Sequence, residues 1–297
     1  MSYRLNDKLT MKIIRTVEEL QKYVADARYA GRSIGLVPTM GALHDGHMSL
    51  MHRARKENDV VVASVFVNPT QFNNAQDLKT YPRTESADII LLEEAGVDVA
   101  FIPSVDEVYP EPDTRVFDLG AIAEVMEGKM RPGHFNGVAQ IVSKLFCWTR
   151  PHRAYFGEKD FQQIAVIRKM AELEGFDIEI VDCPICRHDD GLAMSSRNVR
   201  LNAEQRAIAP KIHEVLTKSL EWAKDQSPIA VKRKVIETIN SYNLLDTEYY
   251  EIVDSLSMQP IEKWDDVDSS RGAVAVGCVT VYCGEVRLID NIKYINK

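Results

Sequence analysis

Runs of apolar, largely β-branched residues with no polar alternation constrain this chain most: Ile34-Gly35-Leu36-Val37, Val60-Val61-Val62-Ala63, Val65-Phe66-Val67 and residues 99–102. A strand with one face in water alternates apolar and polar side chains, whereas a strand covered on both faces does not need to. Between these runs the pattern becomes helical, as in the recurrence of Val17, Leu20, Tyr23, Val24 and Ala27. Strands are expected over residues 34–38, 60–67 and 97–102, around residues 154–156 and over 176–181. Helices are expected after His47, over 86–95 with a stop at Gly96, and over 136–149 and 160–174. This alternation predicts an α/β fold, a Rossmann-like parallel sheet with helices on both faces, over residues 1–185.

From about residue 186 the texture changes. Residues 202–224 and 227–242 read as two long amphipathic helices, followed by strands over 248–253, 272–281 and 285–290. Residues 186–297 are therefore expected to form a smaller α+β domain, and a chain of 297 residues that is 45% hydrophobic is long enough for two cores. A formal net charge of −8 argues against a broad nucleic-acid footprint. The longest unbroken apolar runs are too short to span a bilayer. The N-terminus has no apolar signal segment, so a cytoplasmic protein is expected. The first ten residues precede a second methionine, Met11, and read as an appended start.

The chemistry concentrates where expected strands end. After residues 34–38 comes Met40-Gly41-Ala42-Leu43-His44-Asp45-Gly46-His47, a strand-to-helix turn with two histidines three residues apart. A helix N-terminus offers unpaired N–H groups and a positive dipole end to a phosphate, and an imidazole can add hydrogen bonds to developing phosphoryl charge. After the strand at 154–156 comes Gly157-Glu158-Lys159-Asp160, which places a lysine at a helix start. Past the domain junction, Met194-Ser195-Ser196-Arg197 supplies two hydroxyls and a guanidinium suited to a triphosphate. Ligands of such sheets bind beyond the carboxyl ends of strands. Gln71 also follows a strand directly. Neither a Gly-x4-Gly-Lys-Ser/Thr loop nor Gly-x-Gly-x-x-Gly occurs. Cys183-Pro184-Ile185-Cys186 ends a strand instead of opening a helix, so reduced, packed thiols are expected in place of a redox or zinc site.

These segments resemble the pantoate–β-alanine ligase (pantothenate synthetase) family over nearly the whole chain. The matching stretches are Val37 to His47, Val65-Phe66-Val67-Asn68-Pro69-Thr70-Gln71-Phe72, Lys129-Met130-Arg131-Pro132-Gly133-His134-Phe135-Asn136-Gly137-Val138, Phe156-Gly157-Glu158-Lys159-Asp160-Phe161-Gln162-Gln163, and Met194-Ser195-Ser196-Arg197-Asn198. The resemblance implies ATP-dependent joining of pantoate and β-alanine through a pantoyl adenylate, releasing pyrophosphate and AMP. It implies that His44, His47, Lys159 and Arg197 serve catalysis. ATP would be bound by Met40, Gly41, His44, Gly46, His47, Gly157, Glu158, Lys159, Asp160, Cys186, Met194, Ser195, Ser196 and Arg197. Gln71 and Gln163 are carried over as pantoate ligands, with Pro38, Met40 and Phe66 as apolar walls and Asn68 and Arg131 in the substrate set. Mg²⁺ is expected with ATP and held mostly by phosphates and water; no protein metal site is expected. The resemblance also implies a homodimer and a second domain that closes over the triphosphate.

Cys186 stands where the family pattern has a small aliphatic residue whose backbone meets the adenine, a contact that survives the change. Competing readings are a cytidylyltransferase-like enzyme sharing the His-x-Gly-His turn, a class I aminoacyl-tRNA synthetase and a non-catalytic nucleotide sensor. The Asn-Pro-Thr-Gln-Phe loop and the paired glutamines favour the ligase.

Overall fold

The structure is a computed structural model that describes residues 11–294. The first ten residues, read above as an appended start, lie outside the described residues. In chain order the first part holds β1 (Lys12–Ile14), α1 (Val17–Tyr29), β2 (Ile34–Thr39), α2 (Asp45–Glu57) and β3 (Val60–Val65). There follow α3 (Ala75–Thr80), α4 (Glu85–Glu94), β4 (Val99–Phe101), α5 (Val105–Val108), α6 (Met126–Met130) and α7 (His134–Thr149). Then come β5 (Arg153–Gly157), α8 (Phe161–Glu174), β6 (Glu179–Cys183), α9 (Ala203–Ile208), α10 (Lys211–Trp222) and α11 (Pro228–Asn240). The chain finishes with β7 (Leu245–Asp254), β8 (Ala275–Cys283) and β9 (Val286–Tyr294).

The six strands β1 to β6 form one parallel sheet in the order β1-β4-β3-β2-β5-β6. The continuous apolar runs are its central strands, and every residue of β3 is buried. Full burial of each valine contributes about 1.5–3 kcal/mol of transfer free energy. One face packs on α1, α7 and α8, the other on α2 and α4. Since β3 and β5 flank β2 on opposite sides, the connections diverge at β2, and the ends of β2 and β5 form the topological switch point. The C-terminal part is an antiparallel sheet β7-β8-β9 with its own core, shared with α10 and α11. A small apolar seam of Met126, Val253, Met258, Val276 and Cys278 packs the C-terminal sheet against α6 and the start of α8. Among the described residues no helix is long and apolar enough to cross a membrane.

Strand ends shift by a few residues, the short helices α3, α5 and α6 were not expected, and two further differences have a plain cause or place. The helix expected over 202–224 is broken into α9 and α10, because Pro210 has no N–H to continue the ladder. β1 was not anticipated: three residues long, it buries only Ile14 and pairs at the sheet edge with β4.

Candidate active site

The ends of β2, β3, β5 and β6 converge on a cavity of about 210 Å³. At its floor, Thr39 Oγ1 donates to the Ser64 carbonyl of the neighbouring strand (2.6 Å) and accepts the Gly41 N–H (3.2 Å). The turn that follows is left-handed at Gly41 (φ 77°) and at Ala42 (φ 49°). For a residue with a Cβ this conformation costs about 1–2 kcal/mol. A side chain at Gly41 would also place its Cβ 2.9 Å from Asp88 Oδ2 and 3.1 Å from Val65 Cγ1, so only glycine fits. Asp88, buried on α4, accepts the Ala42 N–H through Oδ2 (3.0 Å) and the Leu43 N–H through Oδ1 (2.8 Å).

The two histidines then cap α2 reciprocally. Gly46 N–H donates to His44 Nδ1 (3.1 Å), His44 N–H donates to His47 Nδ1 (3.3 Å), and the ring centroids lie 4.1 Å apart. Sequence reasoning expected the first-turn N–H groups to await a phosphate. In the structure the histidine rings and the His44 carbonyl, at 2.7 Å from His47 N, take several of them. The ring nitrogens that are left, the two Nε2 atoms, are the donors this turn has to offer. With each Nδ1 accepting a backbone N–H, the hydrogen-bond pattern assigns the neutral Nε2–H tautomer to both. Burial, reinforced by the Lys159 charge, lowers the His44 pKa to about 4. Burial, then His44 and Lys159, holds His47 well below the usual histidine value. Both rings are thus neutral donors near pH 7. The middle residue of His-x-Gly-His is glycine for a local reason: a Cβ on Gly46 would lie 2.8 Å from His44 Cε1.

Opposite the histidines, Lys159 and Asp160 line the cavity, with Nζ 3.3 Å from Asp160 Oδ2. Ser195, Ser196 and Arg197 line it from the loop after β6. Ser196 Oγ donates to the Ala42 carbonyl (3.0 Å), and Arg197 pairs with Asp77 of α3 (2.8 Å). Pro38, Met40, Gly46, Phe66, Gln71, Gly157, Gln163, Cys186 and Met194 also reach the cavity wall. The Gln71 amide donates to Met40 Sδ (3.1 Å). Asn68 lines the cavity too, but it is buried and its side chain is engaged by Gln71, the Gly137 carbonyl, Thr70 and Tyr109. Its geometry is that of a residue that shapes the loop.

Three candidates stand off the wall. Gly41 lies behind the turn. Glu158 turns to the C-terminal sheet, where it pairs with Lys293 (2.6 Å). Arg131 sits 3.5 Å from Glu127 Oε2 and 3.4 Å from the Gln71 carbonyl, which also accepts from His134 Nδ1 (2.8 Å). Arg131 and His134 therefore brace the Gln71 backbone from behind. Burial and the Arg131 charge lower the His134 pKa to about 4, keeping that donor neutral.

Several wall residues were missed by sequence reasoning. Val138, Ile141, Val142 and Leu145 reach the cavity from α7. Their i, i+3, i+4, i+7 spacing signals a buried stripe but not which part of it faces a ligand. Tyr81 reaches the wall with no motif of its own, and Pro184 and Ile185 do so from inside the Cys-x-x-Cys stretch read above only for its thiols. All five cysteines are free thiols, with Cys183 the last residue of β6.

A parallel sheet with a histidine-capped helix at its switch point, facing a lysine and a Ser-Ser-Arg loop, defines an α/β enzyme of the nucleotidyl-transfer class. Comparison with known proteins narrows the class. The model of the pantoate-beta-alanine ligase family matches residues 12–293. Pantothenate synthetase of Porphyromonas gingivalis W83 is 62% identical over 284 residues, covering 96% of this chain and 99% of the relative. The crystal structure of pantothenate synthetase from Thermus thermophilus superposes with a TM-score of 0.88 at 43% identity, covering 96% of this chain and all of that one (100%). A Francisella tularensis pantoate-beta-alanine ligase, crystallised with beta-gamma ATP and beta-alanine, is 35% identical with a TM-score of 0.78, covering 97% of this chain and 99% of that one. The chain belongs to the pantoate–β-alanine ligase family, and its activity is the ligation of pantoate with β-alanine.

Proposed function

We propose that the cavity between the His-x-Gly-His turn and the Ser-Ser-Arg loop carries both half-reactions of this ligation. In the first, a pantoate carboxylate oxygen attacks the α-phosphorus of ATP, the bond to the bridging oxygen breaks, and pyrophosphate leaves. In the second, the β-alanine amine attacks the acyl carbon of pantoyl adenylate. The amine loses a proton and AMP departs with the carbonyl–oxygen bond pair. The observation that carries this reading is the pair of neutral imidazoles, each locked at Nδ1 by a backbone N–H and lining one cavity with Gln71 and Gln163.

The chemistry asks for groups that bind two anions without quenching the nucleophile. The Nε2–H groups of His44 and His47 would donate to phosphate oxygens as charge develops, which needs no proton transfer because pyrophosphate is already a good leaving group. Lys159 and Arg197 would supply positive charge, with Ser195 and Ser196 as hydroxyl donors. Gln71 and Gln163 would hold the pantoate hydroxyl and carboxylate as neutral amides, and Pro38, Met40, Phe66 and the α7 stripe would enclose its gem-dimethyl group. Met40, Gly46, Gly157, Asp160, Cys186 and Met194 would frame the nucleotide, while Gly41, Glu158, Asn68 and Arg131 would act through the turn and loops they shape. Mg²⁺ would enter with ATP, held by phosphate oxygens and water. Among the described residues no group of three or more His, Cys, Asp or Glu side chains could hold it alone.

A Rossmann-like domain to residue 185 and a lid from 186 belong to the same proposal, supported by the Ser196–Ala42 and Arg197–Asp77 contacts that join the loop to the first part. The implied homodimer is to be read from equilibrium sedimentation. The decisive assay measures pyrophosphate release with ATP and pantoate, with and without β-alanine. Pantoate-dependent release, with AMP appearing only when both substrates are present, is expected. Transfer of the nucleotide to a stable final product would favour the cytidylyltransferase-like alternative.

A further inference from the structure

Asp88 is a buried carboxylate, 1% exposed, on the first turn of α4, and neither motif nor spacing marks it. Its two oxygens take three donors: Ala42 N–H (3.0 Å), Leu43 N–H (2.8 Å) and Thr84 Oγ1 (3.1 Å). The two backbone donors belong to the residues immediately before the His44 cap, and Ala42 is itself left-handed. The other side of the same residue is also held, since the Ala42 carbonyl accepts Ser196 Oγ (3.0 Å). Gly41 closes the arrangement by leaving room for Asp88 Oδ2 where a Cβ would stand 2.9 Å away. A buried carboxylate satisfied by three donors fixes their relative positions far more firmly than any one hydrogen bond.

We propose that Asp88 is a positioning residue for adenylation. By clamping residues 42 and 43 it sets the start of α2, and so the direction of the His44 and His47 Nε2–H groups. It also presents the Ala42 carbonyl as the landing point of the Ser-Ser-Arg loop. The proposal rests on the adenylation reading above and adds to it a group that touches no substrate.

The test is pantoate-dependent ATP–pyrophosphate exchange by the full-length enzyme carrying Asp88→Asn. The amide keeps the shape but replaces one acceptor with an NH₂, so a turn N–H or the Thr84 hydroxyl meets a donor. The exchange kcat is expected to fall at least tenfold, toward the about 10²-fold that an ångström of misplacement costs, while the pantoate KM stays at its wild-type value. Thr84→Val removes one hydroxyl donor and leaves both turn bonds, so it should lower kcat less, in the same direction. If Asp88→Asn does not fold, Thr84→Val decides, and wild-type turnover in it overturns the proposal. Histidine ¹⁵N spectra should show unprotonated Nδ1 on both rings in the wild type and mixed tautomers in Asp88→Asn. Unchanged exchange, a parallel loss of both substrate constants with melting temperature, or recovery on raising Mg²⁺ would each overturn it. The last would mean that the carboxylate meets the metal and not the turn. Wild-type enzyme with no pantoate-dependent exchange would instead sink the adenylation reading and this proposal together.

Discussion

Two stretches of chain face the same cavity and are held there by different means. The turn of residues 40–47 is fixed from within and beneath by Thr39, Asp88, a glycine with no space for a side chain, and two imidazoles that cap the helix they begin. The loop of residues 194–197 is held by side chains reaching across the cleft, Ser196 to Ala42 and Arg197 to Asp77. The first arrangement can present neutral donors without rearrangement at the moment of reaction, which is what stabilising developing charge requires. The second keeps a cation compensated by a carboxylate across the cleft. On the proposed function, fixed neutral donors would stabilise the transition state and the paired cation would meet the incoming substrate.

The comparison breaks first at the histidines. His47→Ala and His44→Ala should each lower adenylate formation by about 10²–10³, or about 2.7–4 kcal/mol of activation free energy, measured as pyrophosphate release. Near-normal release in both variants would leave the rigid turn without a function. Gly46→Ala should come next, with a loss toward about 10²-fold. Alanine is the better helix former, so the variant should not melt early for reasons of propensity. Its Cβ would nevertheless stand 2.8 Å from His44 Cε1 and push the ring aside. A fully active Gly46→Ala enzyme would show that the ring's position is not what matters.

The pH dependence sharpens the same point. His44 titrates at about 4 in the folded protein, against the ordinary value of 6.5 in the unfolded chain. Between those values the unfolded state binds more protons, so stability is fully present above 6.5 and is lost as pH falls toward 4. His134 has the same sign and window. Denaturation midpoints from about pH 7 to about pH 4 should therefore decline less steeply in His44→Ala than in wild type. Equal slopes would mean that the imidazole is not buried and neutral. Turnover should likewise show no histidine limb between about pH 6 and about pH 8.

What could be read in advance follows the same division. The parallel sheet was legible because its strands are covered on both faces and their sequences say so locally. His44, Gly46 and His47 were legible because capping and close approach act over three residues. Asp88 and Asp77 were not, since each meets its partners only through the fold: Asp88 lies 46 residues from Ala42, and Asp77 lies 120 from Arg197. Arg131 shows the converse: the resemblance placed it in the substrate set, and only the fold shows its guanidinium turned toward Glu127 and the Gln71 carbonyl. The first-turn N–H groups are similar, because the fold alone shows that the histidines beside them occupy several of these donors.

The loop yields the smaller effects. Arg197→Ala should raise the ATP KM about tenfold, about 1.4 kcal/mol, with pantoate affinity kept. Selective loss of pantoate binding would move the loop to the other substrate. Asp77→Asn then asks whether the ion pair is a tether or a competitor. The pair is only partly exposed, and Asp77 is drawn below the usual carboxylate range despite burial because Arg197 and Arg200 face it. If ATP must take Arg197 from Asp77, removing the carboxylate's charge lowers that cost, and the ATP KM should fall a few-fold, within the about 1 kcal/mol of a partly exposed pair. If Asp77 instead holds Arg197 where the triphosphate needs it, the KM should rise toward that of Arg197→Ala. The direction of that change separates a releasable cation from a second fixed wall.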